Sequence, residues 1–352
     1  MSDQVREGIL LGLGHPLLDI IVTVDQSLLD KYGLNANGSV RANDTHEGLY
    51  RELMADYRCQ YIAGGSVQNS LRTAQWMLNK PNCMTFMGAI GDDQFGRIMT
   101  ECISAQGVNF VSLVDSTTGT GTSACLISGK NRSLVAYLGA SQNIRIAHLH
   151  RNYSYVEKAT IFYTSGYHLG IDPESIMFLA KHAHDYQGKM FCLNLSAPYV
   201  SQKLYKPLLD VFPYVDILFG NESEVQAFAE LNGWQTTDMK TMIRLTADME
   251  CRRKSGRTVV ITQGKDSVLV AKTDCPDVKE FVVKEVDESL IVDTIGAGDA
   301  FVGGFFAQLV RNRELEVCVE SGIYAAQQVI QHIGCQFPTD MLFQGNNMKL
   351  NS

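Results

Sequence analysis

The chain has 352 residues, 45% hydrophobic and 19% charged, with a formal net charge of −8 and an isoelectric point near 5.5. That length suits one large α/β domain with an accessory piece, or two ordinary domains, and the acidic balance argues against nucleic acid as a partner. No run of 18 apolar residues occurs, residues 1–8 lack the apolar core of a signal peptide, and the nine cysteines show no CxxC or paired Cys/His spacing; no membrane partner and no structural zinc are expected, and a reduced compartment is: the cytoplasm, with the nucleus also open.

The first strand spans residues 9–11 and leads into Gly12-Leu13-Gly14-His15-Pro16-Leu17-Leu18-Asp19. This is neither GxGxxG nor GxxxxGK[ST], and no Walker A sequence occurs elsewhere, so phosphates must be held by another device. Asp19, read as lying just past a strand end, can accept two parallel O–H donors from a vicinal diol; alone it reads equally as a turn or cap aspartate. Ala63-Gly64-Gly65-Ser66-Val67-Gln68-Asn69 precedes a helix whose apolar face includes Leu71, Ala74, Met77 and Leu78. The glycine pair lets a sugar ring lie against backbone, and Asn69 offers both a donor and an acceptor; a plain loop entering a helix is the alternative.

From residue 85 onward, β-rich runs at 85–89, 161–164, 190–195, 217–219 and 259–262 alternate with helical segments such as 174–184 and 222–231. That alternation predicts a doubly wound, mostly parallel sheet with helices on both faces and ligands beyond the carboxyl ends of the strands. Two stretches break it, 17–61 and 120–138, whose strand-like pieces (19–24, 123–128, 133–137) lack crossover helices, with Gly129-Lys130-Asn131-Arg132 as a hairpin loop. They predict a small β-rich lid of 17–61 and 120–138 over a large domain of 1–16, 62–119 and 139–352. Extension of an edge of the main sheet is the alternative. Further along, Asn221-Glu222-Ser223-Glu224 follows a strand, where Asn221 also suits a helix cap, and Thr262-Gln263-Gly264-Lys265 forms a turn after another.

The most informative stretch is Asp293-Thr294-Ile295-Gly296-Ala297-Gly298-Asp299. Leu290, Ile291 and Val292 read as the end of a strand, and Val302, Phe305, Phe306, Leu309 and Val310 recur at helical spacing. Amides at a helix start have no internal partner and lie at the positive end of the peptide dipoles, so the Gly296, Ala297 and Gly298 N–H groups suit a phosphate. Asp299 then places a carboxylate at the mouth of an anion hole, where a hydroxyl attacking a phosphoryl group needs an acceptor. The motif reads as a kinase; capping of the helix by Asp299 is the plain alternative.

The DTxGAGD form of this motif, paired with the N-terminal GGS-x-x-N pattern and the NxxE at Asn221–Glu224, resembles the ribokinase-like (carbohydrate and nucleoside) kinase family. The resemblance covers essentially the whole chain. The segments GLGHPLLDI, AGGSVQN followed by AQWML, GAIGDDQFG, GKNRSLVAYL, LNLSAP, PYVDILFGNESE and DTIGAGDAFVGGF look like its adenosine-kinase branch in eukaryotes. It implies transfer of the ATP γ-phosphate to the adenosine 5′-hydroxyl, giving AMP in purine salvage, with Mg²⁺ as cofactor, adenosine and ATP as partners, and a monomer. It implies Asp299 as base, with Gly296, Ala297, Gly298 and the lid residue Arg132 stabilising the transferring group. Asp19, Gly64, Gly65, Ser66 and Asn69 are implied at the ribose, and His15, Leu17, Ser123, Leu134, Ala136, Tyr167 and Tyr199 around the nucleoside base. Asn221, Thr262, Gly264, Thr294, Gly296 and Gly298 are implied at the nucleotide, with Asn221 and Glu224 near the metal. His15 and Ile295 stand where many of these kinases have asparagine. The rival readings are a kinase of another nucleoside or sugar (inosine, guanosine or ribose) and a catalytically silent nucleoside-binding protein.

Overall fold

A strand covered on both faces is apolar at successive positions, and the segment Met84–Gly91 is buried at every residue. The computed structural model describes residues 5–343 apart from 36, 37, 47, 130 and 274, and the side chain of Ser39 is also outside the description. Among these residues the strands are β1 (Leu10–Leu13), β2 (Leu17–Thr23), β3 (Ser39–Arg41), β4 (Gln60–Gly64), β5 (Met84–Gly91), β6 (Asn109–Asp115), β7 (Thr122–Ser128), β8 (Asn131–Tyr137), β9 (Ile161–Ser165), β10 (Met190–Asn194), β11 (Ile217–Asn221), β12 (Thr258–Gln263), β13 (Asp266–Lys272) and β14 (Cys275–Phe281).

Nine of them form one sheet in the order β14-β13-β12-β11-β10-β9-β1-β5-β6. The seven strands from β12 to β6 are parallel to their neighbours, and β13 and β14 close one edge as an antiparallel ribbon. Alternate residues supply two cores. Leu10, Phe86, Tyr163 and Phe219 face helices Ser66–Leu78, Ala297–Leu309 and Leu315–Val329. Leu11, Met87, Phe162 and Leu218 face helices Pro173–Asp185, Glu222–Leu231 and Met239–Asp248. The doubly wound sheet predicted from the sequence is therefore present.

Helix Ser66–Leu78 is buried well beyond one stripe, because helix Ala297–Leu309 crosses it at close range. A Cβ on Gly303 would lie 2.4 Å from the Ser70 carbonyl oxygen, and one on Gly304 would lie 2.4 Å from that of Ser321. The Gly303-Gly304 pair thus lets three helices pack backbone to backbone, which brings Asp299 beside Ser66 and Asn69.

The other five strands form a separate sheet, β3-β8-β7-β2-β4, rather than extending an edge of the large one. The sequence of 17–61 points to strands without crossover helices and to no helix; two short helices, Gln26–Lys31 and Leu49–Asp56, cover one face of this sheet, burying Leu28, Leu29, Leu49 and Leu53 against Val22, Ala124, Leu126 and Val135. A five-stranded sheet exposed on both faces would leave those residues in water, and two short helices are enough to cover them. Strand β4 continues to Gly64, past the expected limit at residue 61.

Three local expectations are corrected. Asp19 lies within β2, paired with Ile62 and Ser123, not beyond a strand end. Arg132 lies in β8 opposite Ile127, not in the hairpin loop, because the β7–β8 ladder extends to Ser128 opposite Asn131; Lys130 lies outside the described residues. Leu290, Ile291 and Val292 form no strand: Leu290 ends a 3₁₀ turn, all three are exposed, and the Val292 and Asp293 amides both donate to the Ile330 carbonyl, not to a ladder partner.

Candidate active site

Side chains alternate between the two faces of a strand, so register decides which residues share a surface. In the small sheet Asp19 pairs with Ser123 and Ser123 with Ala136, Cys125 pairs with Leu134, and Ile127 pairs with Arg132. Leu17, Asp19, Ser123, Leu134, Ala136 and Arg132, scattered over 120 residues of sequence, therefore occupy the face opposite the one covered by helices. Ile333 from the far end of the chain packs on Ile21, Ile62 and Cys125 of that face.

Asp19 projects from it onto the glycine pair. A Cβ on Gly64 would lie 2.2 Å from Asp19 Oδ2, so only glycine leaves room for the carboxylate. Gly65 has φ +99°, and a Cβ there would lie 2.2 Å from the His15 carbonyl oxygen. Burial pushes the Asp19 carboxyl up to about 7, against the pull of Arg132 and Arg72 and of a Ser123 hydrogen bond, with Asp299 adding to the rise. A carboxylate so placed is an acceptor short of donors.

Asp299 sits in the first turn of helix Ala297–Leu309, whose N-cap Gly296 adopts φ +83°. Ser66 Oγ donates to Asp299 Oδ1 at 2.6 Å and Asn69 Nδ2 donates to Oδ2 at 3.1 Å. These bonds favour the carboxylate, burial disfavours it more strongly, and the group is pushed up to about 6. The plain alternative, Asp299 as a helix cap, is not what the geometry gives: its oxygens face the N-terminal glycine motif, 230 residues away in sequence. Asp293 is the structural acid of the pair. It is 9% exposed and accepts from the Ile295 amide at 3.0 Å, the Gly334 amide at 2.8 Å and the Arg132 guanidinium, fixing the loop that precedes the anion hole. Arg132 also donates from Nε to Cys125 Sγ at 2.7 Å.

Across from Asp299 a cavity of about 200 Å³ opens, lined by Ser66, Tyr167, Asn194, Ser196, Phe219, Gly220, Asn221, Glu224, Val260, Thr262, Gly296, Gly298, Asp299, Phe301 and Val302. Asn221 and Glu224 form a capping box: Asn221 Oδ1 accepts from the Glu224 amide at 3.0 Å, and the Glu224 carboxylate accepts from the Asn221 amide and Nδ2 at 3.0 and 2.9 Å. Glu224 is 5% exposed, and burial pushes its carboxyl up to about 7, with Asp299 among the contributors.

The structure therefore gathers Ser66, Asp299, Gly296, Gly298, Asn221, Glu224, Thr262 and Tyr167 around one space, with Asn69 buried behind Asp299. Tyr199 stands beside Tyr167 at the rim, ring centroids 6.0 Å apart. Gly264 and Thr294 do not line the cavity: Gly264 is in the β12–β13 turn and Thr294 is exposed ahead of the helix. Ala297 is half-buried behind Gly296. His15 spends both ring nitrogens within the protein, Nδ1 on the Ser141 carbonyl at 3.0 Å and Nε2 with His168 Nδ1 at 3.2 Å. Burial holds it down at about 4, so it is neutral. Sequence reasoning missed Asn194 and Ser196. Ser196 has φ +71°, unusual for a residue with a Cβ, and its hydroxyl accepts from the Gly166 amide at 3.0 Å. The N-L-S run after a strand was the available signal.

The pfkB family carbohydrate kinase model matches residues 27–341. Adenosine kinase 2 of Arabidopsis thaliana is 41% identical over 341 residues, covering 96% of this chain and 98% of that protein. Adenosine kinase of Schizosaccharomyces pombe is 38% identical, covering 94% of this chain and 96% of its own length. Among solved structures, the Anopheles gambiae adenosine kinase in complex with P1,P4-di(adenosine-5) tetraphosphate is 43% identical with a TM-score of 0.86, covering 95% of this chain and 100% of that one. The Schistosoma mansoni adenosine kinase in complex with 2-fluoroadenosine is 34% identical with a TM-score of 0.85, covering 95% of this chain and 98% of that one. The match to the family model spans most of the chain, which belongs to the pfkB carbohydrate kinase family.

Proposed function

We propose that the protein is an ATP-dependent adenosine kinase, forming AMP by transfer of the γ-phosphoryl group to the 5′-hydroxyl. The observation that carries this reading is a pair of carboxylates brought together from distant elements, Asp19 on strand β2 of the small sheet and Asp299 in the first turn of helix Ala297–Leu309, close enough that Asp299 helps push the Asp19 carboxyl up. A ribose between them offers the 2′- and 3′-hydroxyls to Asp19 and the 5′-hydroxyl to Asp299, with Asn69 and the Gly64-Gly65 backbone beside the ring. The base then falls among Leu17, Ser123, Leu134, Ala136, Tyr167 and Tyr199, near His15.

In the transfer, the 5′-oxygen bonds to the γ-phosphorus, the bond to the ADP bridging oxygen breaks, and the 5′-hydroxyl proton passes to Asp299. Such transition states are loose, so positioning and charge stabilisation dominate. The Gly296, Ala297 and Gly298 amides face the equatorial oxygens, and Arg132 joins them by exchanging Asp293 for phosphate when the small sheet closes as a lid. Residues 17–64 and 120–138, which carry the small sheet, are that lid, with strand β1, 65–119 and 139–343 as the catalytic body. Thr262 lies at the donor, and Gly264 and Thr294 flank its path.

Among the described residues no three His, Cys, Asp or Glu side chains converge. That fits Mg²⁺, which keeps most of its waters and uses few protein ligands. Glu224, whose carboxyl burial pushes up to about 7, and Asn221 would hold it, directly or through water; when bound, it would neutralise phosphate charge. A cytoplasmic monomer completes the reading, and nine dispersed cysteines without CxxC or paired Cys/His spacing support a reducing compartment. Assay of purified protein with ATP and Mg²⁺ against adenosine, inosine, guanosine and ribose tests the proposal. Adenosine is expected to give the highest kcat/KM; a preference for any other acceptor overturns it, and no turnover with any of them favours the silent binding protein.

A further inference from the structure

Arg72 is 1% exposed, in the middle of helix Ser66–Leu78; among the described residues it makes no salt bridge, and Asp19, whose carboxyl it pulls down, is the carboxylate that feels its charge. Its guanidinium is spread over neutral acceptors: the Gln106 side chain, the Ala63 carbonyl, Asn69 Oδ1 at 3.1 Å and the Cys335 carbonyl at 3.0 Å, with Phe337 beneath the plane at 5.4 Å. Removing a cation from water is costly, and hydrogen bonds to carbonyls offset it only in part. A methionine would fill the same space without that cost, so the charge has another use.

The acceptors indicate which. Ala63 immediately precedes Gly64-Gly65. Cys335 follows Gly334, whose amide holds Asp293, and Cys335 Cβ is the atom nearest a Cβ built on Gly296, at 3.2 Å. Asn69 is the residue that donates to Asp299. An asparagine side chain has one acceptor end and one donor end, and rotation by half a turn exchanges them. With the guanidinium on one side and a carboxylate on the other, only one orientation is satisfied: oxygen to Arg72, NH₂ to Asp299. Arg72 therefore excludes the orientation in which the Asn69 oxygen would face the Asp299 carboxylate.

We propose that Arg72 is a positioning residue of the phosphoryl-transfer reaction, acting through Asn69 to keep an N–H donor on Asp299 and so to keep Asp299 ionised at working pH. This rests on Asp299 being the acceptor of the substrate proton. Five other titratable groups lie close enough for the Asp299 charge to push them up: Asp19 from the small sheet, Glu224 from helix Glu222–Leu231, Tyr163 from β9, Tyr167 from the turn after it, and Cys335 from the C-terminal segment. None of them reports the Asn69 orientation, so the variant pair below isolates it.

The test is the pH dependence of kcat for wild type, Arg72→Met, Asn69→Leu and Asp299→Asn, each checked for folding by circular dichroism. Arg72→Met is expected to lower kcat by about 10-fold and to move the acid limb upward by about one pH unit, because the donor that favours ionised Asp299 is lost. Asn69→Leu is expected to move it by a similar amount. An acid limb at the wild-type pH in folded Arg72→Met, while Asn69→Leu moves it, overturns the proposal and leaves the role of Asp299 intact. Near-normal turnover in Asp299→Asn instead removes the reading beneath it. Should Arg72→Met fail to fold, Arg72→Gln, which keeps a donor for the neighbouring carbonyls, is measured with the same two outcomes.

Discussion

Replacing Gly64 by alanine puts the ribose site to a steric test. A Cβ at Gly64 would lie 2.2 Å from Asp19 Oδ2, 2.6 Å from its Cγ and 2.8 Å from Oδ1. Ordinary contact requires about 3.5 Å, so the carboxylate must retreat by more than about 1 Å. Gly64 is outside the positive-φ region, so the backbone tolerates the change and the whole effect falls on Asp19. A shift of that size breaks the geometry of hydroxyl–carboxylate hydrogen bonds, each contributing about 1.5–3 kcal/mol when one partner is charged. KM for adenosine should rise by about 10- to 100-fold, with a crowding cost of about 1–3 kcal/mol in stability. Gly65→Ala meets the His15 backbone and a positive φ, which cannot yield, so it should lose folding rather than affinity. The assay is steady-state kinetics with adenosine and 3′-deoxyadenosine, alongside thermal melting. In wild type the missing hydroxyl should weaken binding; in Gly64→Ala it should make little further difference, because the acceptor has already moved. A folded Gly64→Ala enzyme with wild-type KM and the full deoxy penalty would refute Asp19 as the ribose acceptor.

Arg132→Ala should lower kcat by about 10-fold or more with little change in nucleoside affinity, and Arg132→Lys should recover only part of it, since lysine lacks the planar fork; equal kcat in all three enzymes would leave Arg132 as a tether for Asp293. Glu224→Gln keeps a hydrogen-bonding side chain on the capping box but removes the charge, and should raise the Mg²⁺ concentration for half-maximal rate by about 10-fold; an unchanged Mg²⁺ titration would place the metal elsewhere. The Asp19 carboxyl is pushed up to about 7 by burial, so its folded pKa exceeds the unfolded one. Its stabilising contribution is present at about pH 4 and is lost as pH rises through 7, so the melting temperature of Asp19→Asn should gain on wild type across that window, and a constant difference would contradict the buried carboxyl.

The central strands of the large sheet were legible because they are buried on both faces and read as apolar runs between helices; β6 and β14, half-buried or exposed at its edges, carry no such run and were not legible. The chemical motifs were legible because glycines and acids at strand and helix ends have few other uses. What composition could not supply was pairing. Leu290-Ile291-Val292 has the residues of a strand, yet its amides turn to Ile330 and it stays exposed. Asn131, Arg132 and Ser133 have the polarity of a loop, yet the β7–β8 ladder extends to Asn131 and period-two alternation aims Arg132 at Asp293. The strand at 131–133 is set by local pairing across the hairpin, whereas the fate of 290–292 and the Arg132–Asp293 contact depend on residues more than 30 positions away. The same holds for Arg72: on its helix it reads as one more polar residue, and only the folded chain shows the carbonyls and the asparagine gathered around it.

The central claim is that Asp299 accepts the proton from the adenosine 5′-hydroxyl. The direct measurement is single-turnover formation of AMP from adenosine and ATP·Mg²⁺ by wild type and Asp299→Asn, with the site of phosphorylation identified and adenosine binding measured by calorimetry. Wild type should yield only the 5′-monophosphate, and Asp299→Asn should bind adenosine within about threefold of wild type while reacting at least about 100-fold more slowly. An Asp299→Asn enzyme that keeps more than about a third of the wild-type rate would contradict the account.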